Sequence, residues 1–397
     1  MKYAVVIMDG AAGLPLPEEG GRTCLELAVT PNLDALVPAG VLGMTRTVPA
    51  GFEPSSACAC MSVLGYDPKQ HYRGRAGIEA RSLGVPVGEG DAVFRCNLVT
   101  VQDGCMASYS AGYIGSEEAG ALVGTMDEKL GGPGVQFFPG VGYRHLCLLK
   151  GQEETLRAVC TPPHDISDKP VAAYLPRGEG SAPLLSLMQR SKGVLAAHPV
   201  NAARVARGEL PATTIWLFWG TGRVPELPPF REVYGLDAVL SSGVDLLRGL
   251  AKMAGIGIME IAGVTDGLDN DYGAQGEASV GALAEQDVVV IHVEAPDEAG
   301  HDADVRRKVE AISLIDAEVI GRLRRFPGEL RLLVMPDHPT PVAARTHTAE
   351  PVPFLFWGNG FAAGGARRFT EAEAASTGVF VEEGWRLMRG LLKTASR

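Results

Sequence analysis

Three short segments that lie far apart in the chain carry the residue types that bind divalent metal ions. The segments read VVIMDG, HVEAPDEAGHDAD and LLVMPDHPTPVAARTH, and their candidate ligands are Asp9, Asp297, His301, Asp337, His338 and His347. Carboxylate oxygens and imidazole nitrogens are donor atoms that Mn²⁺, Zn²⁺ and Mg²⁺ accept to differing degrees. We therefore predict a two-metal site that is split along the sequence and assembled by the fold.

The spacing of these residues limits how they can meet. Asp297 and His301 are four residues apart, so a single helical turn can present both to one metal ion. Taken alone, this pattern is also typical of an ordinary solvated helix start. Asp337 and His338 follow the apolar run LRLLVM and cannot both face one side of a continuing strand. The strand must end there, or the pair must serve two metals, with His347 as a further ligand across a loop.

A candidate nucleophile lies in the segment GFEPSSACACMSVLGYDP. Pro54 ends an extended stretch and the residues after it resemble a helix start, which places Ser55 or Ser56 at a helix N-terminus. Backbone N–H groups at that position favour an anionic phosphate, and a nearby metal ion activates a serine hydroxyl. On local sequence alone, an ordinary N-cap serine fits as well. Beside a two-metal site, the serine instead indicates phosphoryl transfer.

The elements that must position these residues alternate between short apolar strands and helical patterns. The predicted strands are YAVVIM, DVVVIHVEA, LRLLVM and PVPFLFWG, and helices are predicted at residues 31–36 and in RKVEAISLIDAEVIGRL. This alternation predicts an α/β fold with a mostly parallel sheet sandwiched by helices. Ligands bind at the carboxyl ends of the strands in such sheets, which is where Asp9, Asp297 and Asp337 lie. His292 lies inside a strand and is expected to pack in the core or to support a metal ligand.

The stretch 86–220 differs from the rest because Gly- and Pro-rich breaks separate its shorter elements. The metal motifs occur only before and after it, so we predict a smaller α+β domain inserted into the first. On this interpretation, residues 1–85 and 221–397 form the metal-binding phosphoryl-transfer domain. Residues 86–220 form a substrate-binding lid.

Charge and cysteine usage limit the partners and the compartment. Lys and Arg number 36 against 47 Asp and Glu, a net charge of −11, which excludes nucleic acid and anionic membrane surfaces as expected partners. Seven cysteines form no CxxC pair, which indicates reduced thiols. No apolar run is long enough to span a membrane, and Tyr3 to Met8 is too short for a signal peptide. We expect a cytoplasmic protein.

Taken in order, the motifs resemble those of the alkaline phosphatase superfamily, and specifically the archaeal-type cofactor-independent phosphoglycerate mutases and their bacterial relatives. The segments that carry the resemblance are VVIMDG, EPSSACACMSVLGYDP, YRGRAGIEARSLGV, FRCNLVT, TPPHDIS, HPVNAARV, HVEAPDEAGHD and MPDHPTP. They run nearly end to end, and the set in this order is specific although no single member is. The resemblance implies an alkaline-phosphatase-like fold.

The resemblance also implies how the ligands divide between two metals. One metal would be held by Asp9, the nucleophilic serine, Asp337 and His338, and the other by Asp297, His301 and His347. The family motif P-G-S-D-V-A-N-L-S aligns with P-S-S-A-C-A-C-M-S here, which makes Ser56 the nucleophile. The chain departs from that motif at three positions, where it carries Ser55 for glycine, Ala57 for the acidic residue and Cys60 for asparagine.

The implied reaction interconverts 3-phosphoglycerate and 2-phosphoglycerate through a phosphoserine at Ser56. It uses two divalent ions (Mn²⁺, Zn²⁺ or Mg²⁺) and no 2,3-bisphosphoglycerate. A small anionic phosphorylated substrate also requires cations from the protein, and arginines form bidentate contacts with phosphate and carboxylate. The candidate substrate-binding residues are Arg73, Arg75, Arg95, Arg144 and Arg204.

Several alternatives use the same residues. A metal-dependent phosphatase would share the ligands but would need no closing domain, and a homoserine kinase-like phosphotransferase has been proposed among the bacterial relatives. A sulfatase requires x-P-x-R after its nucleophile, which neither Ser56 nor Cys58 has. The chain has no GxxxxGK[ST] loop for ATP. A catalytically inactive metal-binding protein is favoured only by Ala57.

Overall fold

The computed structural model describes residues 1–224 and 227–392, and the chain divides into two compact units. The first unit comprises Met1–Tyr72 and Glu226–Arg397, and the second comprises Arg73–Pro225. Residues 225, 226 and 393–397 of the predicted metal-binding phosphoryl-transfer domain lie outside the described part. Within that part, no helix is long and apolar enough to cross a bilayer.

Thirteen strands are present in the described residues. They are β1 (Lys2–Met8), β2 (Val41–Thr45), β3 (Ala92–Gln102), β4 (Cys105–Ser108), β5 (Val135–Phe138), β6 (Arg144–Leu149), β7 (Thr214–Thr221), β8 (Ala238–Ser241), β9 (Gly257–Ile258), β10 (Val288–Val293), β11 (Leu330–Met335), β12 (Val352–Gly358) and β13 (Phe380–Val381).

The α-helices begin and end as follows. They are α1 (Cys24–Leu27), α2 (Pro31–Leu36), α3 (Ser56–Val63), α4 (Pro68–His71), α5 (Arg75–Ser82), α6 (Ser116–Leu130), α7 (Ser181–Ala196), α8 (Pro199–Ala206), α9 (Phe230–Tyr234), α10 (Asp245–Met253), α11 (Tyr272–Ala282), α12 (Ala295–His301), α13 (Val305–Leu314), α14 (Gly321–Arg324), α15 (Glu371–Ser376) and α16 (Arg386–Leu392). A π-helical turn, Ile315–Ile320, joins α13 to α14.

The first unit contains an eight-stranded sheet in the order β13-β2-β12-β11-β1-β10-β8-β9. Only β12 runs antiparallel to its neighbours, so the predicted mostly parallel sheet is confirmed. Strand β1 pairs with β10 on one edge and with β11 on the other. Because all three are parallel, their carboxyl ends meet at the same edge of the sheet.

Both faces of this sheet are covered, which explains the uninterrupted apolar runs of its strands. In β1, Val6 and Met8 belong to a core cluster that also holds Ile312 and Ile315. Val5 and Ile7 point to the opposite face and are equally buried. A strand without a polar face can only lie inside such a sandwich.

The second unit is an α+β domain with an antiparallel sheet. Its long central strand β3 pairs with β4, β6 and β7, and β5 pairs with β6. Helices α6 and α7 pack against this sheet through a core that includes Phe94, Trp216 and Phe218. The unit therefore has a hydrophobic core of its own.

The second unit begins earlier than residue 86, the predicted start of the insertion. Helix α5 belongs to it, because Ala76 and Ala80 of this helix pack with Val93 and Leu148 of the antiparallel sheet. The sequence of α5 carries no Gly- or Pro-rich break that separates it from the preceding residues, so composition alone placed the boundary too late.

Candidate active site

Asp9 is the first residue after β1, and it lies at the edge where β10 and β11 also end. Its backbone N–H donates to Val293 O at 3.0 Å. Gly10 follows with a φ of +60°, and a Cβ there would clash with Asp297 and Thr340. The chain therefore needs glycine at position 10 to bring the ends of these strands close together.

One cluster of ligand-type residues consists of Asp297, His301 and His347, and is called the histidine-side group below. Helix α12 presents Asp297 and His301 from one turn, with His301 Nε2 at 3.2 Å from Asp297 Oδ2. His347 Nε2 lies 3.5 Å from Asp297 Oδ1 and 3.0 Å from His301 Nε2. All three side chains thus converge on one small volume.

A second cluster consists of Asp9, Ser56, Asp337 and His338, and is called the serine-side group below. His338 Nε2 lies 3.1 Å from Ser56 Oγ, 3.5 Å from Asp9 Oδ1 and 3.4 Å from Asp337 Oδ2. Strand β11 ends at Met335, two residues before Asp337, as the sequence pattern required. All four residues are buried.

The two adjacent serines have different places in the structure. Ser55 is the N-cap of α3, and its Oγ accepts a hydrogen bond from Cys58 N at 3.4 Å. Ser56 is the first helical residue, and its Oγ points to His338. Of the two alternatives left open by the sequence, only Ser56 therefore joins the ligand cluster.

His338 lies between the two groups. Its ligand atoms come within 4.8 Å of those of Asp9 and Asp337, and also of those of Asp297 and His347. The rings of His338 and His347 have centroids 4.2 Å apart. The seven predicted metal ligands consequently form one continuous cluster in which the two groups adjoin at His338.

The donor set fits divalent cations. Ligand atoms bound at 2.0–2.3 Å to one tetrahedral ion are about 3.3–3.7 Å apart, close to the 3.1–3.5 Å separations that His338 Nε2 makes in the serine-side group. Oδ1 of Asp9 is buried without a hydrogen-bond partner, and so is Oε2 of Glu294. Burial and the charges of Asp337 and Asp297 raise the pKa of Asp9 well above its usual value. Bound cations would satisfy these orphaned acceptors and offset the repulsion.

The electrostatics of the histidine-side group are different. Burial opposes ionisation of Asp297, but His301 and His347 hold its pKa well below the usual range. Burial likewise disfavours the charged form of His301, yet Asp297 raises its pKa to about 9. Burial lowers the pKa of His338 to about 4, which keeps that ring neutral and available as a ligand.

Asp337 is oriented by its neighbours. Its Oδ1 accepts hydrogen bonds from Gly10 N at 3.1 Å and from His338 N at 2.8 Å. Its Oδ2 accepts one from Cys60 Sγ at 3.3 Å and faces the ring of His338. One carboxylate oxygen thus accepts hydrogen bonds from the backbone, and the other faces the cluster.

His292 and Glu294 form a buried layer beside Asp9. His292 Nε2 lies 2.7 Å from Asp9 Oδ2, and its Nδ1 lies 3.0 Å from Ser242 Oγ. This is the supporting position expected for His292. Glu294 was missed, although it directly follows β10 as Asp9 follows β1. The same strand-end rule would have identified it.

Lys308, on α13, is fully buried, and the sequence analysis did not identify it as part of the site. Its Nζ donates to Gly10 O at 2.7 Å, to Thr340 O at 2.6 Å and to Ala12 O at 3.3 Å. It therefore ties together the loops after β1 and β11. The lysine lies within an amphipathic helix pattern, where the sequence does not distinguish it from a surface residue.

Three of the predicted substrate arginines cluster in the second unit around Glu79. Arg75 Nε bonds Glu79 Oε1 at 2.7 Å, and Arg95 Nε lies 3.2 Å from Oε2 without hydrogen-bond alignment. Their guanidinium carbons lie 5.4 and 5.5 Å from the ring centroid of Trp219. Although burial opposes it, Arg95, Arg75 and Arg144 lower the pKa of Glu79. Three guanidinium groups thus converge on one buried carboxylate.

The other two predicted arginines have different surroundings. Arg73 is exposed. Arg204 is buried and donates to Leu210 O at 3.0 Å, to Ala111 O at 2.8 Å and to Glu118 Oε2 at 2.5 Å. This arrangement is at odds with the predicted substrate role of Arg204, because its guanidinium already holds a loop and an ion pair together. The motif match did not reveal these tertiary acceptors.

Comparison with known proteins shows similarity to one enzyme family. A family model described as 2,3-bisphosphoglycerate-independent phosphoglycerate mutase matches residues 38–201. A protein of that name from Methanothrix thermoacetophila is 43% identical over 396 residues, covering 99% of this chain and 100% of the relative.

Solved structures share the fold. The PH0037 protein from Pyrococcus horikoshii has a TM-score of 0.81 at 26% identity, with 98% of this chain and 96% of that chain covered. The cofactor-independent phosphoglycerate mutase from Thermoplasma acidophilum has a TM-score of 0.62 at 24% identity, with 100% of both chains covered.

Proposed function

This chain belongs to the family of 2,3-bisphosphoglycerate-independent phosphoglycerate mutases, and from that premise we propose that it interconverts 3-phosphoglycerate and 2-phosphoglycerate through a phosphoserine at Ser56. The observation that carries the proposal is the position of Ser56 Oγ, 3.1 Å from His338 Nε2 within a buried carboxylate and imidazole cluster. The reaction needs no 2,3-bisphosphoglycerate, in line with the family's name.

Two divalent cations (Mn²⁺, Zn²⁺ or Mg²⁺) complete the proposed centre. One would be held by the serine-side group and the other by the histidine-side group. Bound there, they would neutralise the phosphoryl oxygens and stabilise charge on the attacking and leaving oxygens. The orphaned Oδ1 of Asp9 and the raised pKa of its carboxyl support this part of the proposal.

In the first half-reaction, Ser56 Oγ forms a bond to phosphorus while the bond between phosphorus and the 3-oxygen of the substrate breaks. Ser56 loses its hydroxyl proton, and the 3-oxygen of the departing glycerate gains one. Ser56 is the first residue of α3, so the positive end of the helix dipole favours the added phosphate. In the second half-reaction, the 2-hydroxyl of the retained glycerate takes the phosphoryl group back.

Retaining glycerate requires cations for its carboxylate and exclusion of water. We assign the binding of the glycerate carboxylate to Arg75, Arg95 and Arg144. Arg73, the first residue of the second unit, is assigned the same role. Support comes from the convergence of these guanidinium groups, because Arg75, Arg95 and Arg144 all act on the buried carboxyl of Glu79. The second unit as a whole is the proposed lid.

The direct test is an activity assay on purified protein. Wild-type protein with Mn²⁺ and 3-phosphoglycerate should accumulate 2-phosphoglycerate without releasing free phosphate. Ser56→Ala should lose at least about 10³-fold in rate, as expected when a nucleophile is removed. Ser55→Ala is the matched control, and it should retain most activity at a cost of about 1 kcal/mol in helix capping.

The same assay separates the alternatives. Free phosphate in place of 2-phosphoglycerate would indicate a phosphatase, and phosphorylation of homoserine by ATP in a parallel reaction would indicate a kinase-like phosphotransferase. Metal binding without turnover of any of these substrates would indicate an inactive metal-binding protein.

A further inference from the structure

Cys60 is the residue of α3 for which the family resemblance provides no role, because the family pattern carries asparagine there. Its side chain is fully buried, one turn after Ser56. Its Sγ lies 3.3 Å from Asp337 Oδ2 and within 4.8 Å of ligand atoms of Asp9 and His292. Cys60 therefore reaches both carboxylates of the serine-side group.

The separation of Sγ from Asp337 is compatible with two donors of one ion. The 3.3 Å separation from Asp337 falls among those of His338 Nε2 from Ser56 Oγ (3.1 Å) and Asp9 Oδ1 (3.5 Å). Donor atoms bound to one ion at 2.0–2.3 Å are about 3.3–3.7 Å apart in a tetrahedral site. Because the serine-side group already offers four donors, Sγ would be a fifth and would expand the coordination beyond four.

An independent observation points to a cation at this place. Oδ1 of Asp9 is fully buried and has no hydrogen-bond partner. A buried acceptor without a donor is costly unless a positively charged group meets it. It lies 3.5 Å from Nε2 of His338, another member of the group. The unmatched oxygen is directed into the cluster that Cys60 adjoins.

We propose that Cys60 is a thiolate ligand of the cation held by the serine-side group, and that it makes this half of the centre prefer Zn²⁺ or Co²⁺ to Mn²⁺ or Mg²⁺. Thiolates favour the softer ions, whereas carboxylates also suit Mg²⁺ and Mn²⁺. The S–H bond of Cys60 breaks as the metal–sulfur bond forms, and the proton leaves to solvent. The inference rests on the proposed metal centre and not on the mutase reaction.

The test titrates metal-free protein with Co²⁺ and follows the near-ultraviolet charge-transfer absorption of a cobalt–thiolate bond. Wild-type protein should develop this absorption, and Cys60→Ser should lose it while still binding Co²⁺ by equilibrium dialysis. Cys58→Ser is the matched control, because Cys58 is equally buried on α3 but belongs to no ligand group among the described residues. It should retain the absorption.

Metal selectivity provides a second measurement. The ratio of Zn²⁺ to Mn²⁺ affinity should fall by about 10-fold or more in Cys60→Asn, which restores the family residue. Cobalt bound by wild-type protein without the thiolate absorption would overturn the inference and leave the mutase proposal intact. The absorption persisting in Cys60→Ser would also overturn it. Wild-type protein that binds no Co²⁺ at all would contradict the metal centre itself.

Discussion

At the scale of single residues, the two groups of the cluster differ in how far neighbouring residues compensate the charge of their carboxylates. In the histidine-side group, His301 and His347 already offset the charge of Asp297, whose pKa is lowered. In the serine-side group, burial and neighbouring carboxylates raise the pKa of Asp9. The serine-side half therefore depends more on an added cation than the histidine-side half.

One residue outside the cluster makes the stability of the fold depend on pH. His145, on β6, is buried, and burial together with Arg95 lowers its pKa to about 3. The unfolded chain takes up a proton at His145 below about pH 6.5, whereas the folded chain does not. Stability should therefore be constant above neutrality and fall as the pH decreases, by about 2 kcal/mol at pH 5 from this residue.

Urea unfolding followed by tryptophan fluorescence measures this effect. His145→Asn should lower the unfolding free energy at pH 7.5, because Gly140 N loses its acceptor at 3.0 Å. Between pH 7.5 and pH 5 the variant should lose less stability than the wild type. Parallel loss in both proteins would show that His145 does not carry the acid dependence.

Several of the residues that sequence reasoning identified stand beside a recognisable element boundary. Asp9 follows a strand and Ser56 begins a helix, and apolar patterns define those boundaries. Lys308 was missed, and the contacts of Arg204 were not foreseen, because both side chains bond to backbone carbonyl groups. Carbonyl acceptors are common to all residues and leave no trace in a sequence.

At the scale of elements, the site depends on loops that leave parallel strands and must be held at fixed positions. Lys308 performs this task from α13, since its ammonium group bonds to carbonyls in the loops after β1 and β11. The burial of this lysine is compensated by those three acceptors. Helix α13, which follows the ligand-bearing helix α12, is thereby connected to the loops that carry the other predicted metal ligands.

Replacement of this lysine should loosen the loops. In Lys308→Met the carbonyls of Gly10 and Thr340 lose this donor, whereas Ala12 O still accepts from Thr340 N. We expect a loss of about 3 kcal/mol in unfolding free energy, with weaker metal affinity. Urea unfolding and calorimetric metal titration measure the two effects. Lys192→Met is the control, because Lys192 is exposed on α7. Unchanged metal affinity in Lys308→Met would contradict the loop-holding role.

Elements with strong periodicity were predicted well, and irregular ones were not. The segment RKVEAISLIDAEVIGRL is helical as expected, but a π-turn interrupts it at Ile315–Ile320. There Asp316 accepts hydrogen bonds from Asn32 N and Leu33 N at the start of α2. Such a turn is stabilised by a distant segment, so local sequence does not show it.

At the scale of the whole molecule, the resemblance read from the motifs is confirmed by relatives that cover nearly the full chain. The predicted mostly parallel sheet with helices on both faces is confirmed as well. The domain boundary was harder to place, because α5 joins the second unit only through packing. Whether that unit acts as a lid stays a prediction.

Metal binding should contribute to the stability of the whole chain, since Asp9, Glu294, Asp297 and Asp337 are all buried within it. A ligand present at 100 times its Kd stabilises a folded protein by about 2.7 kcal/mol. We expect EDTA to lower Tm in calorimetry and Mn²⁺ or Zn²⁺ to restore it. Asp337→Asn should show a smaller response, and an EDTA effect equal to that of the wild type would contradict the assigned ligands.

The central claim is that the phosphoryl group passes through Ser56. The most direct measurement mixes metal-loaded protein with 3-phosphoglycerate labelled in its phosphoryl group, quenches the reaction in acid and analyses the peptides by mass spectrometry. The label should appear on the peptide that contains Ser56, on the timescale of turnover, and should pass to 2-phosphoglycerate when unlabelled substrate is added. Full mutase turnover without any labelled Ser56, or undiminished turnover in Ser56→Ala, would contradict the account.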